Sequence, residues 1–221
     1  MNKTIEDKLN EGRQYRSIDV SSFERRSEGD TGKVVSGYAT TFNQPYELCN
    51  IAYDGVKYIV KEQVDPDAFA ETNFSDVIMQ YDHEGRVFAR TSNGTLELDP
   101  DEHGLHIRAN LGGTELGRQL FEEIEGGYTT KMSFGFRVGK DKREETEETD
   151  AETGIRTITV LRTILSISHL YDVSAVSLPA NDATSISARN FSDGVIAEIM
   201  EEFQKRDDTR KRIRIKAKME D

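Results

Sequence analysis

Apolar and polar residues alternate strictly through residues 131–138, which read KMSFGFRV. A period of two is typical of a half-buried β-strand. Ser133 therefore lies on the polar face with Gly135 beside it, and the pattern predicts a rigid strand that exposes the Oγ atom of Ser133 to a substrate. A solvent-facing strand serine without a chemical role satisfies the same pattern, so this stretch alone leaves both interpretations open.

The same analysis predicts many short strands along the chain, separated by turn residues. They cover 34–42, 57–61, 76–83, 86–91, 95–99, 104–111, 155–161, 163–178 and 184–189. Amphipathic helices are predicted over 114–125, where Thr114 can cap, and over 192–206, and a short helix over 64–70. Many short strands with few helices favour a mostly β, α+β protein built on a barrel or a sandwich.

The composition along the chain divides it into four parts. Residues 1–32 are predicted as a flexible N-terminal arm, with a first strand near 15–23, and 33–190 as the main β domain. Within that domain the acidic stretch 140–154 is predicted as a mobile loop, because it contains almost no apolar residue that could offset its ordering entropy. An amphipathic helix over 191–206 and a basic tail over 207–221 complete the chain.

Charge and cysteine content exclude several classes of protein. The 221 residues carry a formal net charge of -12, so the whole chain is not expected to bind nucleic acid. Cys49 is the only cysteine, which excludes an internal disulfide framework and a cysteine-rich zinc site. The sequence has no membrane-spanning apolar run and no signal-peptide core, so we expect a soluble protein of a reducing, intracellular compartment.

Two further residues could act together with Ser133. His83 ends a predicted strand at a turn, where an imidazole can serve as general base, although a turn histidine without a role is the ordinary alternative. Asp172 interrupts a strand and needs a partner there, which a catalytic imidazole or a nearby arginine could provide. Strand alternation places His169 on the opposite face from Asp172.

Weaker signals suggest two other chemistries. Lys131 lies on the same face as Ser133, which leaves a Ser-Lys dyad open. His103 and His106 are a weak candidate pair of metal ligands, because no further histidine or cysteine lies near them in the sequence. No glycine-rich phosphate loop is present, and no cofactor is expected.

The motifs, taken in order, resemble the tailed-phage prohead (head maturation) protease family over residues 34–189. They are VDPDAF at 64–69, YDH at 81–83, GL at 104–105, KMSFGF at 131–136, LYDVS at 170–174 and PAN at 179–181. That family is related to the herpesvirus assembly proteases, so the resemblance implies a small closed or nearly closed β-barrel with surrounding helices. It also implies that Ser133 is the nucleophile, His83 the base and Asp172 the third member of a triad. The herpesvirus-like relatives use a second histidine there, which keeps His169 as the rival.

The resemblance implies a serine endopeptidase that cleaves the scaffolding segment of the major capsid protein or a separate scaffold protein, and itself, during procapsid maturation. Expected partners are that substrate and the procapsid or portal assembly, with self-association as an option and without nucleic acid or membrane. The expected location is the host cell cytoplasm, inside the assembling procapsid, with the basic tail serving recruitment or self-processing. The alternative function is a non-enzymatic capsid assembly or scaffold-binding factor on the same fold.

Overall fold

The computed structural model describes residues 12–18, 32–177, 194, 196–206 and 208–209. Helix α1 covers Glu115–Glu125, a short 3₁₀ turn covers Thr91–Asn93, and a C-terminal helix includes residues 196–206. The strands are β1 (Gln14–Ile18), β2 (Val34–Thr41), β3 (Tyr46–Tyr53), β4 (Val56–Val64), β5 (Ile78–Tyr81), β6 (Glu84–Arg90), β7 (Leu96–Pro100), β8 (Gly104–Asn110), β9 (Lys131–Thr149) and β10 (Arg156–Val176).

These strands form two sheets. The larger has seven strands in the order β1-β9-β10-β4-β3, with β5 paired to β10 and β6 paired to β5, and the smaller has the order β2-β8-β7. The predicted mostly β, α+β class is confirmed. The larger sheet ends at β1 and β3, so in the part of the chain that the structure describes the strands do not close into the predicted barrel.

β10 is the central strand of the larger sheet, and one of its edges pairs with two strands in succession. β4 runs parallel to its first half, from Arg156 to Ile164, and β5 runs parallel to its second half, from Asp172 to Ala175. The other edge pairs antiparallel with β9 along its length. This arrangement brings the end of β5 beside the second half of β10.

The main hydrophobic core combines residues of both sheets and α1. Ile107 of β8, Leu120 of α1, Phe134 of β9 and Val173 of β10 are all buried in it. The predicted helix and its cap are confirmed, since the Thr114 hydroxyl accepts a hydrogen bond from the backbone N–H of Gly117. None of the helices that the structure describes is long and apolar enough to cross a membrane.

The predicted acidic loop over 140–154 is wrong. β9 continues to Thr149 and β10 begins at Arg156, so only a short turn separates the two strands. The ladder runs unbroken from the Arg156–Thr149 pair to the Ile164–Asp141 pair. Cross-strand hydrogen bonds and opposite-charge pairs replace the apolar contacts that the sequence lacks here.

Basic side chains of other segments neutralise part of that acidic strand. Arg156 binds Glu147 at 2.5 Å, and Arg206 of the C-terminal helix binds Glu145 at 2.8 Å. The same helix packs its apolar face against β4 and β10 in a second, smaller cluster. Its members are Tyr58, Val60, Ile158, Val160, Ile199 and Phe203. The predicted amphipathic helix is therefore confirmed over 196–206.

Four other predictions differ from the structure or lie partly or wholly outside the described residues, and one observed strand was not predicted. The predicted helix over 64–70 is a series of turns, in which Ala68 N–H donates to the Asp65 carbonyl and Ala70 N–H to the Asp67 carbonyl. β3 has no counterpart among the predicted strands. The predicted strand over 184–189 lies outside the described residues, as do 19–23 of the predicted first strand and, except for 208–209, the basic tail predicted over 207–221.

Candidate functional site

Ser133 lies in β9 with a neighbouring strand on each side. It pairs with Ser174 of β10 on one edge and with Ser17 of β1 on the other. The predicted strand is confirmed, but the predicted exposed hydroxyl is wrong, because only 1% of Ser133 is accessible to solvent. The difference arises from His83, whose Nε2 lies 2.6 Å from Ser133 Oγ, and from β1, whose Arg16 carbonyl lies 3.0 Å from the same atom.

A two-residue turn between β5 and β6 aims the imidazole of His83 at Ser133. Both turn residues have positive φ, 47° for Asp82 and 59° for His83. Such angles are uncommon for residues other than glycine and are maintained where surrounding structure supports them. The support comes from Ser177, whose backbone N–H and hydroxyl donate to the Asp82 carboxylate at 2.9 and 2.8 Å.

Asp172, His83 and Ser133 form a continuous hydrogen-bonded chain. His83 Nδ1 contacts Asp172 Oδ1, and His83 Nε2 lies 2.6 Å from Ser133 Oγ. An ionised carboxylate only accepts hydrogen bonds, so Nδ1 carries the proton and the lone pair of Nε2 faces the serine hydroxyl. In this tautomer Nε2 can take the proton of Ser133, which is what nucleophilic activation requires.

The Asp172 carboxylate contacts a residue of its own strand and lies against a glycine of the neighbouring strand. Asp172 itself comes directly after a register shift, between Leu170 and Asp172, in the β9–β10 ladder. The Ser174 hydroxyl donates to Oδ1 at 3.2 Å. Its Oδ2 has no hydrogen-bond partner within the described ranges and lies over Gly135, where a Cβ would clash with it. Only glycine at position 135 leaves space for this carboxylate.

The rival residues have other neighbours in the structure. His169 contacts the ring of Tyr171 at a centroid distance of 4.2 Å. Burial lowers the pKa of His169, as do the charges of Arg13 and Arg137. Lys131 begins β9, where it pairs with Val176.

β1 covers the imidazole as well as the serine. The Tyr15 ring lies 4.3 Å from the His83 ring, centroid to centroid, and the Arg16 carbonyl accepts a hydrogen bond from Ser133 Oγ at 3.0 Å. Burial, together with the charge of Asp172, raises the pKa of Tyr15 far above its usual value. The Arg16 carbonyl and His83 Nε2 therefore compete for the single hydroxyl proton of Ser133.

Sequence reasoning missed the buried charges beside the site. Arg16 and Glu62 form an ion pair with an Nε–Oε1 distance of 2.6 Å, and both are almost completely buried. A signal for Glu62 was present, because it continues the buried alternation of Tyr58 and Val60 one position beyond the predicted strand. For Arg16 the local pattern gave no signal, since its partners are distant in the sequence.

The histidines that suggested a metal do not form a ligand cluster. His103 and His106 both contact the ring of Tyr38, at centroid distances of 4.7 and 5.1 Å. Among the described residues no group of three or more His, Cys, Asp or Glu side chains is placed to hold a metal ion.

Comparison with known proteins identifies a family that the chain matches. A protein-family model described as caudovirus prohead serine protease matches residues 20–205. The matched range includes His83, Ser133 and Asp172. Neither a curated protein nor a solved structure matches the chain.

Proposed function

From the premise that the chain belongs to the caudovirus prohead serine protease family, we propose that Ser133, His83 and Asp172 are the catalytic residues of this capsid-maturation protease. The proposal rests on one observation above all, the hydrogen-bonded chain from Asp172 through His83 to Ser133. Two constraints add support: the positive-φ turn that orients His83 and the space that Gly135 leaves for Asp172.

The proposed mechanism follows from this hydrogen-bonded order. His83 Nε2 removes the proton of Ser133 as Oγ attacks the carbonyl carbon of the substrate, and then delivers that proton to the leaving amine. Asp172 holds the Nδ1–H tautomer and stabilises the imidazolium that forms in between. Water, deprotonated by the same imidazole, hydrolyses the acyl-enzyme and restores the serine.

The proposed substrates are the scaffolding segment of the major capsid protein, or a separate scaffold protein, and the protease chain itself. We place this reaction inside the assembling procapsid, in the host cytoplasm, as is expected of a prohead protease. A fold related to the herpesvirus assembly proteases is part of the same proposal.

Co-expression with the major capsid protein of the same virus tests this function. We expect a smaller capsid product that persists in the presence of EDTA and disappears with Ser133→Ala. Circular dichroism must show that the variant is folded, because Ser133 is buried and its hydroxyl is hydrogen-bonded. Cleavage by a folded Ser133→Ala protein would overturn the assignment, EDTA-sensitive cleavage would indicate a metal hydrolase, and no cleavage by the wild type would favour the non-enzymatic assembly factor.

A further inference from the structure

β1 lies beside Ser133 in the way that an extended peptide substrate would. Five consecutive residues pair antiparallel with β9, from Gln14 opposite Phe136 to Ile18 opposite Met132. Proteins that recognise extended peptides often add them as a strand to a sheet edge. The opposite edge of β9 is taken by β10, so β1 occupies the edge at which a strand could be added.

Within β1, one peptide bond faces the serine. The Arg16 carbonyl oxygen accepts a hydrogen bond from Ser133 Oγ at 3.0 Å, and the carbonyl carbon is bonded to that oxygen at about 1.23 Å. The bond that follows this carbonyl joins Arg16 to Ser17. An occupant placed in this way presents the Arg16–Ser17 bond to the candidate nucleophile.

The side chain of Arg16 fills a buried polar pocket. Its Nε and Nη2 donate to the two carboxylate oxygens of Glu62 at 2.6 and 3.2 Å. Nη1 donates to the Tyr15 carbonyl at 2.8 Å, and Nη2 also donates to Gln14 at 3.1 Å. A bidentate contact with a carboxylate matches the planar guanidinium. Glu62 is therefore the recognition group at the base of this pocket.

Glu62 stays charged in this environment. Burial raises the pKa of its carboxyl, but Arg16 and Arg162 lower it more, and the net direction is downward. The Tyr46 hydroxyl donates to Oε1 at 2.6 Å, and Arg162 Nη1 donates to Oε2 at 2.5 Å. Both partners lie outside β1, so they can hold the carboxylate in place when another strand replaces β1.

The charge balance of the pocket requires a cation at the position of Arg16. Arg16 and Arg162 supply two positive charges against the two negative charges of Glu62 and Asp141, which Arg162 also binds. Removing Arg16 leaves one negative charge in excess. Arg143 lies 3.9 Å from Asp141, but it is partly exposed and compensates weakly. A neutral side chain in the pocket would leave buried charge uncompensated, which is costly.

Building on the proposed function, we propose that β1 is an internal substrate strand and that Glu62 selects arginine or lysine on the N-terminal side of the bond that is cut. The internal reaction joins Ser133 Oγ to the Arg16 carbonyl carbon and breaks the bond from that carbon to the Ser17 nitrogen. His83 transfers the serine proton to the new amine of Ser17. Water then hydrolyses the ester, which leaves a carboxylate on Arg16 and restores the hydroxyl. External substrates bind the same edge of β9 once β1 has left it.

The test uses the full-length chain and three readouts. N-terminal sequencing of the purified protein identifies self-cleavage, for which we expect a new chain beginning at Ser17. A library of peptides from a digested proteome identifies the residues before the bonds cut in trans, for which we expect arginine or lysine. Labelling with a fluorophosphonate, followed by peptide mapping, reports independently whether Ser133 is an activated nucleophile.

Two variants and a control separate pocket recognition from structural support. Glu62→Gln should lower kcat/KM at least tenfold for library peptides with arginine before the cut bond, and less for peptides with leucine there. Arg16→Gln leaves Glu62 in place but removes the contacts that hold β1 in the pocket. It should abolish the cut before Ser17, while cleavage of arginine peptides continues because they displace the weakly held, uncut β1 from the edge of β9. Arg156→Gln removes an arginine whose pair with Glu147 lies on the outer part of the hairpin, and should leave both activities unchanged.

The readouts distinguish failure of this inference from failure of the proposed function. Two outcomes would overturn the proposal that Glu62 selects a basic residue. One is a labelled Ser133 together with cleavage after non-basic residues, and the other is a preference for arginine that survives Glu62→Gln. Self-cleavage at another bond while β1 stays intact would overturn the substrate-like role of β1. Absence of labelling and of all cleavage, in the wild type and in Arg16→Gln, would count against the protease assignment itself.

Discussion

The two halves of the β9–β10 pair differ sharply although they belong to the same two strands. In the outer half, from Asp141 to Ile164 around the turn, the register is unbroken and the β9 side chains are largely exposed and charged. In the inner half, register shifts fall between Ile164 and Asp172, and the side chains are mostly buried. The regular half contains none of the three candidate catalytic residues, and the irregular half contains two of them.

This contrast indicates which positions of the two strands tolerate substitution. Each exposed charge pair in a regular ladder contributes little to the free energy of unfolding, so its residues can be replaced at small cost. The inner half encloses an aspartate, a histidine and a serine that depend on one another for hydrogen bonds, and the loss of any one leaves buried polar groups without partners. Substitutions in the inner half should therefore affect activity and stability together, whereas those of the exposed charged side chains in the outer half should affect neither strongly.

His83→Ala is expected to have the largest effect. Without the imidazole the serine hydroxyl is a poor nucleophile, and removal of the histidine base from subtilisin costs about 10⁶ in rate. The rate of capsid-precursor cleavage measures the loss. Lys131→Ala is the matched control and should retain activity. A Lys131→Ala variant that is inactive beside an active His83→Ala would replace the triad with a Ser-Lys dyad.

Gly135→Ala should have an intermediate effect through the position of Asp172. The added methyl would clash with Asp172 Oδ2 and lie 2.7 Å from Cε1 of Tyr15. We expect a loss of about 1–3 kcal/mol in unfolding free energy. A displaced carboxylate should also lower the cleavage rate by about 10².

Thermal denaturation and cleavage rates of Gly135→Ala can be compared with those of Gly139→Ala. There the nearest atom to a new Cβ is the Ser166 hydroxyl oxygen, which can rotate away. Equal effects at the two positions would contradict the role of Gly135 in leaving space for the Asp172 carboxylate.

Glu147→Gln is expected to have the smallest effect. The substitution weakens the ion pair with Arg156. The side chain of Glu147 is 44% exposed and that of Arg156 is 25% exposed. Pairs of this kind contribute less than about 1 kcal/mol. Urea denaturation should give a midpoint close to that of the wild type, with unchanged cleavage. A large destabilisation would mean that the outer half is not the tolerant region described above.

The parts of the molecule that local pattern determines were predictable. Alternation gave the Ser133 strand, and the Thr114 cap with an apolar stripe gave α1. The strand structure of the acidic stretch 140–154 was not predictable. It depends on pairing with β10, which begins after the turn, and on arginines elsewhere in the chain. The exposure of Ser133 was mistaken for a related reason, since β1 lies more than one hundred positions away in sequence.

The members of the candidate site were predictable, but their support was not. Motif order singled out His83, Ser133 and Asp172, and the structure brings these three together. The roles of Ser177 in holding the His83 turn and of Glu62 in holding Arg16 come from contacts between distant segments. No periodicity within one strand can encode such contacts.

The most direct test of the account is a comparison of self-cleavage rates between Asp172→Asn and His169→Gln. An amide at position 172 has no charge to stabilise the imidazolium of His83, and its N–H can donate to Nδ1 and favour the wrong tautomer. The corresponding substitution in trypsin-like serine proteases costs about 10⁴ in rate. His169 lies beside Tyr171 and away from the serine, and its lowered pKa keeps it neutral like glutamine. We therefore expect Asp172→Asn to lose nearly all self-cleavage and His169→Gln to retain most of it, with both proteins folded. The reverse pattern would contradict the account and would identify His169 as the third catalytic residue.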